Sequence, residues 1–266
     1  MSILDSEPGL LDALRGEMTP KFLATRNAAG VPNVVPVVSI LPSDDEPDTL
    51  FFGNFLLRKS IQNLQEDARV CVLVITPQLE GWVLLGDFVE FQRTGPYVER
   101  QMNSSLLRYN AYTGVRNAGV LRVKSLLGAF KIGRLSVALD YLQAKMAATG
   151  IRNAQGGGVC VPQPVRAEFA KMVAVKVLAW LGTDGYPRIV PVLSLQPAGV
   201  DTMVHRVGRD TLGWPSDGDL VACNILTFEA VSYQLKGRWA RRGKSGAVTV
   251  HEVYAGGPPL PGGRIA

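Results

Sequence analysis

The 266-residue chain is 47% hydrophobic with a formal net charge of +5, which is enough apolar content for one large core or two ordinary ones and excludes a disordered polyelectrolyte. The positive excess comes without a lysine/arginine tract or aromatic stripe, so it argues for a small anionic ligand and against nucleic acid. The segment "MSILDSEPGLLDALRGEM" has no basic region leading into an apolar stretch, and no uncharged apolar run reaches the roughly 18 residues of a membrane helix. Cys71, Cys160 and Cys223 show no C-x-x-C spacing. Together these features predict a soluble, cytoplasmic protein with no membrane partner.

Taken in chain order, residues 22–30 ("FLATRNAAG") read as an apolar run and a polar turn closed by glycine, leading into the extended segment "GVPNVVPVVSILP". An apolar strand follows over 48–54, then a helix over 58–67 with apolar residues three apart, then strands over 68–76 and in "GWVLLGDFVEF". A second helix is predicted over 96–112, with Pro96 in its first turn, and a third over 133–150. The glycines at 156–158 mark a linker.

After the linker the chain repeats itself. "VLAWLGTDG" at 177–185 answers residues 22–30, and "GYPRIVPVLSLQP" answers the extended segment with its central proline. "DTMVHRV", "DLVACNILT" and "AVSYQLKGRW" answer the later strands in order. Each copy therefore holds about five or six short, evenly spaced strands, the pattern of an antiparallel sandwich or barrel. The expected fold is mainly β with peripheral helices: two tandem barrels, 1–150 and 169–266, joined by a linker over 151–168. The tail after Tyr254, "AGGPPLPGGRIA", cannot hold regular structure for long.

Proline lacks an N–H and within a sheet belongs on an edge or at an interruption. Pro36 and Pro191 stand at matching positions, and two readings are open: an edge strand blunted against aggregation, or a strand whose free backbone groups face a planar ligand. A second feature occurs in the first copy alone. Arg58 and Lys59 precede Ser60 at a predicted helix start, where unpaired N–H groups and the helix dipole favour an anion. The second copy places Arg209, Asp210 and Thr211 there, and a carboxylate beside a phosphate is repulsive. With His205 and His251 the sole histidines, and no Ser-His-Asp set, zinc spacing or carboxylate pair, the sequence presents no catalytic constellation of its own.

The run "PNVVPVVS", the K-[ST]-x-x-N motif "KSIQN", "ARVCVLVI" and the later "FVEFQRTGPYVERQMN" together resemble the FMN-binding split-barrel flavoproteins of the pyridoxamine 5′-phosphate oxidase-like type. The resemblance spans most of 22–130 and, more faintly, 177–254. It implies a six-stranded split barrel, usually dimeric, with FMN between two barrels. It assigns the FMN phosphate to Lys59 and Ser60 with Arg58 and Asn63 as neighbours, the isoalloxazine to the strand bearing Val35, Pro36, Val37 and Ser39, and the ribityl chain to Gly53 and Asn54. Tandem duplication would supply both barrels as a pseudo-dimer within one chain, with Arg209 and Trp214 of the second copy near the flavin; a homodimer pairing first barrels is the alternative arrangement. The implied function is an FMN-dependent oxidoreductase acting on a small molecule, or else a flavin-binding electron-transfer or carrier protein serving a redox partner. A deazaflavin in place of FMN stays open, and haem binding through histidine is disfavoured by the lack of any histidine in the first copy.

Overall fold

Each copy opens on a hairpin whose turn needs a left-handed residue, and glycine supplies it at Gly30 and at Gly185, both at φ 77°. In the first copy the hairpin joins β1 (Lys21–Arg26) to β2 (Pro32–Pro36), and β3 (Leu41–Pro42), β4 (Thr49–Gly53), β5 (Arg69–Ile75), β6 (Glu80–Gln92) and β7 (Ala118–Lys131) follow. In the second it joins β8 (Val175–Leu181) to β9 (Pro187–Pro191), with β10 (Gln196–Pro197), β11 (Thr202–Arg206), β12 (Leu220–Leu226), β13 (Ser232–Arg242) and β14 (Ser245–Ala255) after it. This is a computed structural model and describes residues 2–55, 57–104, 114–151, 157–208, 212–256 and 262–266. The expectations at Arg209, Asp210 and Thr211, over the distal part of the 96–112 helix and over 152–156 of the linker lie outside the described residues.

The first sheet runs β2-β1-β5-β6-β7-β4-β3 and the second β9-β8-β12-β13-β14-β11-β10, the same order strand for strand and antiparallel throughout. The architecture is mainly β, a split-barrel fold written twice, with helices at the periphery: α1 (Leu10–Arg15), α2 (Lys59–Glu66), α3 (Pro96–Met102), α4 (Arg134–Ile151) and α5 (Gln163–Phe169). One local reading needs correcting: the expected linker over 151–168 is helical from Gln163, where α5 has proline in its first turn and buries Val165 and Phe169. In the proline-rich tail a two-residue strand, β15 (Gly263–Arg264), pairs with Tyr254 and Ala255.

The repeated proline is the last residue of β2 and of β9, and both are end strands of their sheets. Pro36 lies opposite Phe22 and Pro191 opposite Val177. The next residue resumes the ladder: Val37 N–H donates to Lys21 O, and Val192 N–H to Lys176 O, each at 2.7 Å. A strand end on a sheet edge is where a residue without an N–H costs least. Neither edge faces open solvent, because the barrels pack through them. Phe22, Val34, Leu73 and Leu85 share one buried cluster with Val177, Ala179, Ile189 and Ala222 of the second barrel, apart from the interior cluster of each barrel.

The duplication extends to a bulge. Register shifts at Gly86 in β6 and at Gly237 in β13 bring the neighbouring strand's backbone so close that a Cβ would lie 2.5 Å from Arg122 O or 2.0 Å from Thr249 O. Only glycine fits, and the bulge bends each long strand as a curled sheet requires.

Candidate functional site

Crossed packing of two like barrels creates two related clefts. In each, the proline strand and the segment after the fourth strand of one barrel face the long hairpin of the other. The first cleft combines β2 and α2 with β13 and β14.

α2 docks by polar residues. Ser60 and Asn63 are buried, the Asn33 amide donates to Ser60 Oγ at 3.1 Å, and the Asn63 amide donates to Thr25 Oγ1 at 3.0 Å. Leu64 adds an apolar contact to the first barrel's interior. With that face inward, Lys59 points across to the second barrel and Arg58 stays exposed. Lys59 Nζ donates to the Tyr254 hydroxyl at 2.7 Å and sits 4.1 Å from the centre of its ring. The Tyr254 hydroxyl donates in turn to Glu252 Oε2 at 2.6 Å.

Lys236 completes the group from β13. Burial, with the charge of Lys59 beside it, pushes its ammonium down to about 7. Burial works against ionisation of Glu252, but the Tyr254 hydroxyl, Lys59 and Lys236 outweigh it and hold the carboxyl below its usual range. Burial and then Glu252 push the Tyr254 phenol up. Two lysines from different barrels thus converge on one carboxylate, which leaves a positive excess suited to an anion.

Polar atoms without partners lie on the first barrel's side. Among the described residues, Asn33 Oδ1, Gln101 Oε1, Ser104 Oγ and Asn117 Oδ1 are buried and have no hydrogen-bond partner. Asn33 adjoins Ser60. Gln101 lies against Gly53, and the Asn117 carbonyl accepts from the Asn54 N–H. A fifth such atom, Glu168 Oε2, is ion-paired with Lys171 at 2.7 Å. Buried polar atoms are rarely left unpaired without cause, and this set surrounds the end of β4 and the start of α2.

The residues expected from the sequence therefore have distinct positions. Lys59, Ser60 and Asn63 share one short helix, with Lys59 at the cleft and the other two beneath it. Val37 packs in the first barrel's interior with Val35 against it, so only their backbone and Pro36 can meet a ligand along β2. Ser39 is buried and donates to Gly53 O at 3.3 Å; its counterpart Ser194 accepts from Arg206 N–H at 3.0 Å, so both serines tie a turn to the neighbouring strand. Asn54 is buried, and its backbone extends the pairing of β4 with β7. Trp214 lines the second cleft, beside Pro191. Arg209 lies outside the described residues. His205 is buried, held between the Trp239 N–H on Nε2 at 3.0 Å and Arg206 O at Nδ1, and burial pushes it down to about 4.

Sequence reasoning missed Lys236, Glu252, Tyr254 and Asn33. The one signal was Ser232-x-Gln234-x-Lys236, a polar stripe alternating with Tyr233, Leu235 and Gly237 at the start of β13. All three residues are buried, and the Gln234 amide donates to Val34 O of the opposite barrel at 2.6 Å.

No protein-family model matches the chain, and no curated protein does. Among solved structures, an FMN-binding protein from Syntrophomonas wolfei is 15% identical, with a TM-score of 0.40 over 50% of this chain and 88% of its own. A putative pyridoxamine 5′-phosphate oxidase from Lactobacillus delbrueckii is 20% identical, with a TM-score of 0.34 over 49% of this chain and 99% of its own. HutZ, a haem storage protein from Vibrio cholerae, is 17% identical, with a TM-score of 0.34 over 49% and 95% respectively. Among the described residues no helix is long and apolar enough to cross a membrane.

Proposed function

We propose that the chain is an FMN-dependent oxidoreductase in which the two barrels, residues 1–150 and 169–266, act as a pseudo-dimer around one flavin in the first cleft. The observation that carries this reading is the meeting of Lys59 with Lys236 and Tyr254 across the barrel boundary. A phosphate there gains two ammonium groups as donors, with the Arg58 guanidinium exposed on the preceding residue. Ser60, held from below by Asn33, fixes the start of α2. The unpaired side-chain oxygens near Gly53 and Asn54 suit the hydroxyls of a ribityl chain. Pro36 presents no N–H along the cleft, so the end of β2 offers a flat apolar edge to a ring.

When bound, FMN would supply the electron chemistry. The residues of this chain would bind and orient it: Lys59 and Lys236 by charge, Tyr254 by holding the Lys59 ammonium in the cleft, Gln234 by holding β2 against β13. The reading is tested by purifying the full chain, recording its visible spectrum and quantifying released FMN. One FMN per chain supports it; a colourless protein that takes up no FMN on reconstitution overturns it. A carrier without a substrate of its own is the second reading, and turnover of bound reduced flavin by a small-molecule acceptor separates the two.

A further inference from the structure

The second cleft is the two-fold counterpart of the first and has a different chemistry. It encloses about 340 Å³, within the range of small-molecule sites, between β9 of the second barrel and the β7–α4 corner of the first. Its walls are Phe130 and Val137 on one side and Pro191 and Val192 on the other, with Trp214 at the edge. Trp214 is fixed in place: its ring stacks on His205 at 5.2 Å and its indole N–H donates to Gly208 O at 3.2 Å. The indole and the edge proline give the cleft preformed flat apolar surfaces.

The charges in this cleft cancel. Lys131 is ion-paired with Glu80 at 2.6 Å. Arg206 faces Asp140, but its Nε stands 4.0 Å from Asp140 Oδ1, beyond hydrogen-bonding reach, and its other bond goes to Lys244 O at 2.6 Å. A guanidinium donor and a carboxylate acceptor therefore lie side by side with a gap between them. A phosphate would meet Asp140 there. An uncharged ring edge with an adjacent acceptor and donor would bond both groups.

We propose that the second cleft is a separate binding site for an uncharged, planar heteroaromatic ligand that lies between Phe130 and β9 and presents an acceptor to Arg206 and a donor to Asp140. The site stands on the cavity and its side chains, whether or not FMN occupies the first cleft.

Lumichrome, a neutral tricyclic with such an edge, is the probe. The full chain is titrated calorimetrically at neutral pH, with and without excess FMN, and compared with Val137→Trp, which enlarges a wall of the cleft, and with Arg206→Gln. FMN uptake is measured separately on each variant, so a failure of the flavin assignment is read independently. The expected result is saturable binding of one lumichrome per chain, unaffected by FMN or by Lys59→Ala, and at least tenfold weaker in both cleft variants. Should Val137→Trp fail to fold, Arg206→Gln carries the comparison. No saturable binding, competition by FMN, or equal affinity in a folded cleft variant overturns the proposal.

Discussion

Lys59 of the first barrel and Tyr254 of the second, 195 residues apart, meet through a 2.7 Å hydrogen bond and a cation–π contact. Neither barrel alone contains this arrangement. Removing Lys59 should therefore affect both flavin affinity and the junction. Each charge-assisted phosphate contact is worth about 1.5–3 kcal/mol, so Lys59→Ala should weaken FMN binding by more than tenfold. Equilibrium dialysis measures it, and circular dichroism should show the fold intact because Lys59 is not a core residue.

Lys236 should make anion affinity depend on pH. Its ammonium is held down to about 7 by burial and by Lys59, so it is charged below that point and increasingly neutral above it. Inorganic pyrophosphate, as an anion probe, should bind more tightly at pH 6.5 than at pH 8.5. Lys236→Met should abolish most of that difference, and calorimetric titrations at the two pH values would show whether it does.

Lys176 is fully buried, its ammonium donating to Lys171 O at 2.6 Å, and burial pushes it down to about 7 from an unfolded value of 10.5. Between those values the unfolded chain holds a proton that the folded chain does not. Stability should thus rise with pH from about 7 towards 10.5, the penalty for burying the charge being complete below 7. Lys176→Met should flatten this dependence, measurable as the urea midpoint across that range.

Gly237→Ala tests the shared bulge. The added Cβ would lie 2.0 Å from Thr249 O, a backbone atom that cannot rotate away. Overpacking of this kind costs about 1–3 kcal/mol, and Gly86→Ala should behave alike in the first barrel. Thermal melts of the two variants would reveal the loss; a stable Gly237→Ala would mean that the bulge is absent.

Much of the fold was legible because it was written twice. Gly30 and Gly185 share a turn geometry, and Pro36 and Pro191 share a register, since the same local rules act on both copies. The helix expected over 58–67 is α2, legible from its apolar spacing. What could not be read was the opposite wall of the cleft. Lys236 sits mid-strand, where a lysine ordinarily marks the solvent face, yet it shares the buried face of Ser232 and Gln234. Its burial follows from packing against another barrel, a contact between distant segments that no local pattern encodes. Trp214 lies in a Pro/Gly turn of the matching segment, and the packing of the barrels places it in the second cleft rather than in the one that holds Lys59 and Tyr254.

The most direct test of the account is FMN stoichiometry in the full chain and in two variants, Lys59→Ala and Lys236→Met, by equilibrium dialysis with chromatographic quantification. A shared site in the first cleft predicts one FMN per chain and more than tenfold weaker binding when either barrel's lysine is removed. Two FMN per chain, or a Lys236→Met variant that binds FMN as tightly as the unaltered chain, would contradict it.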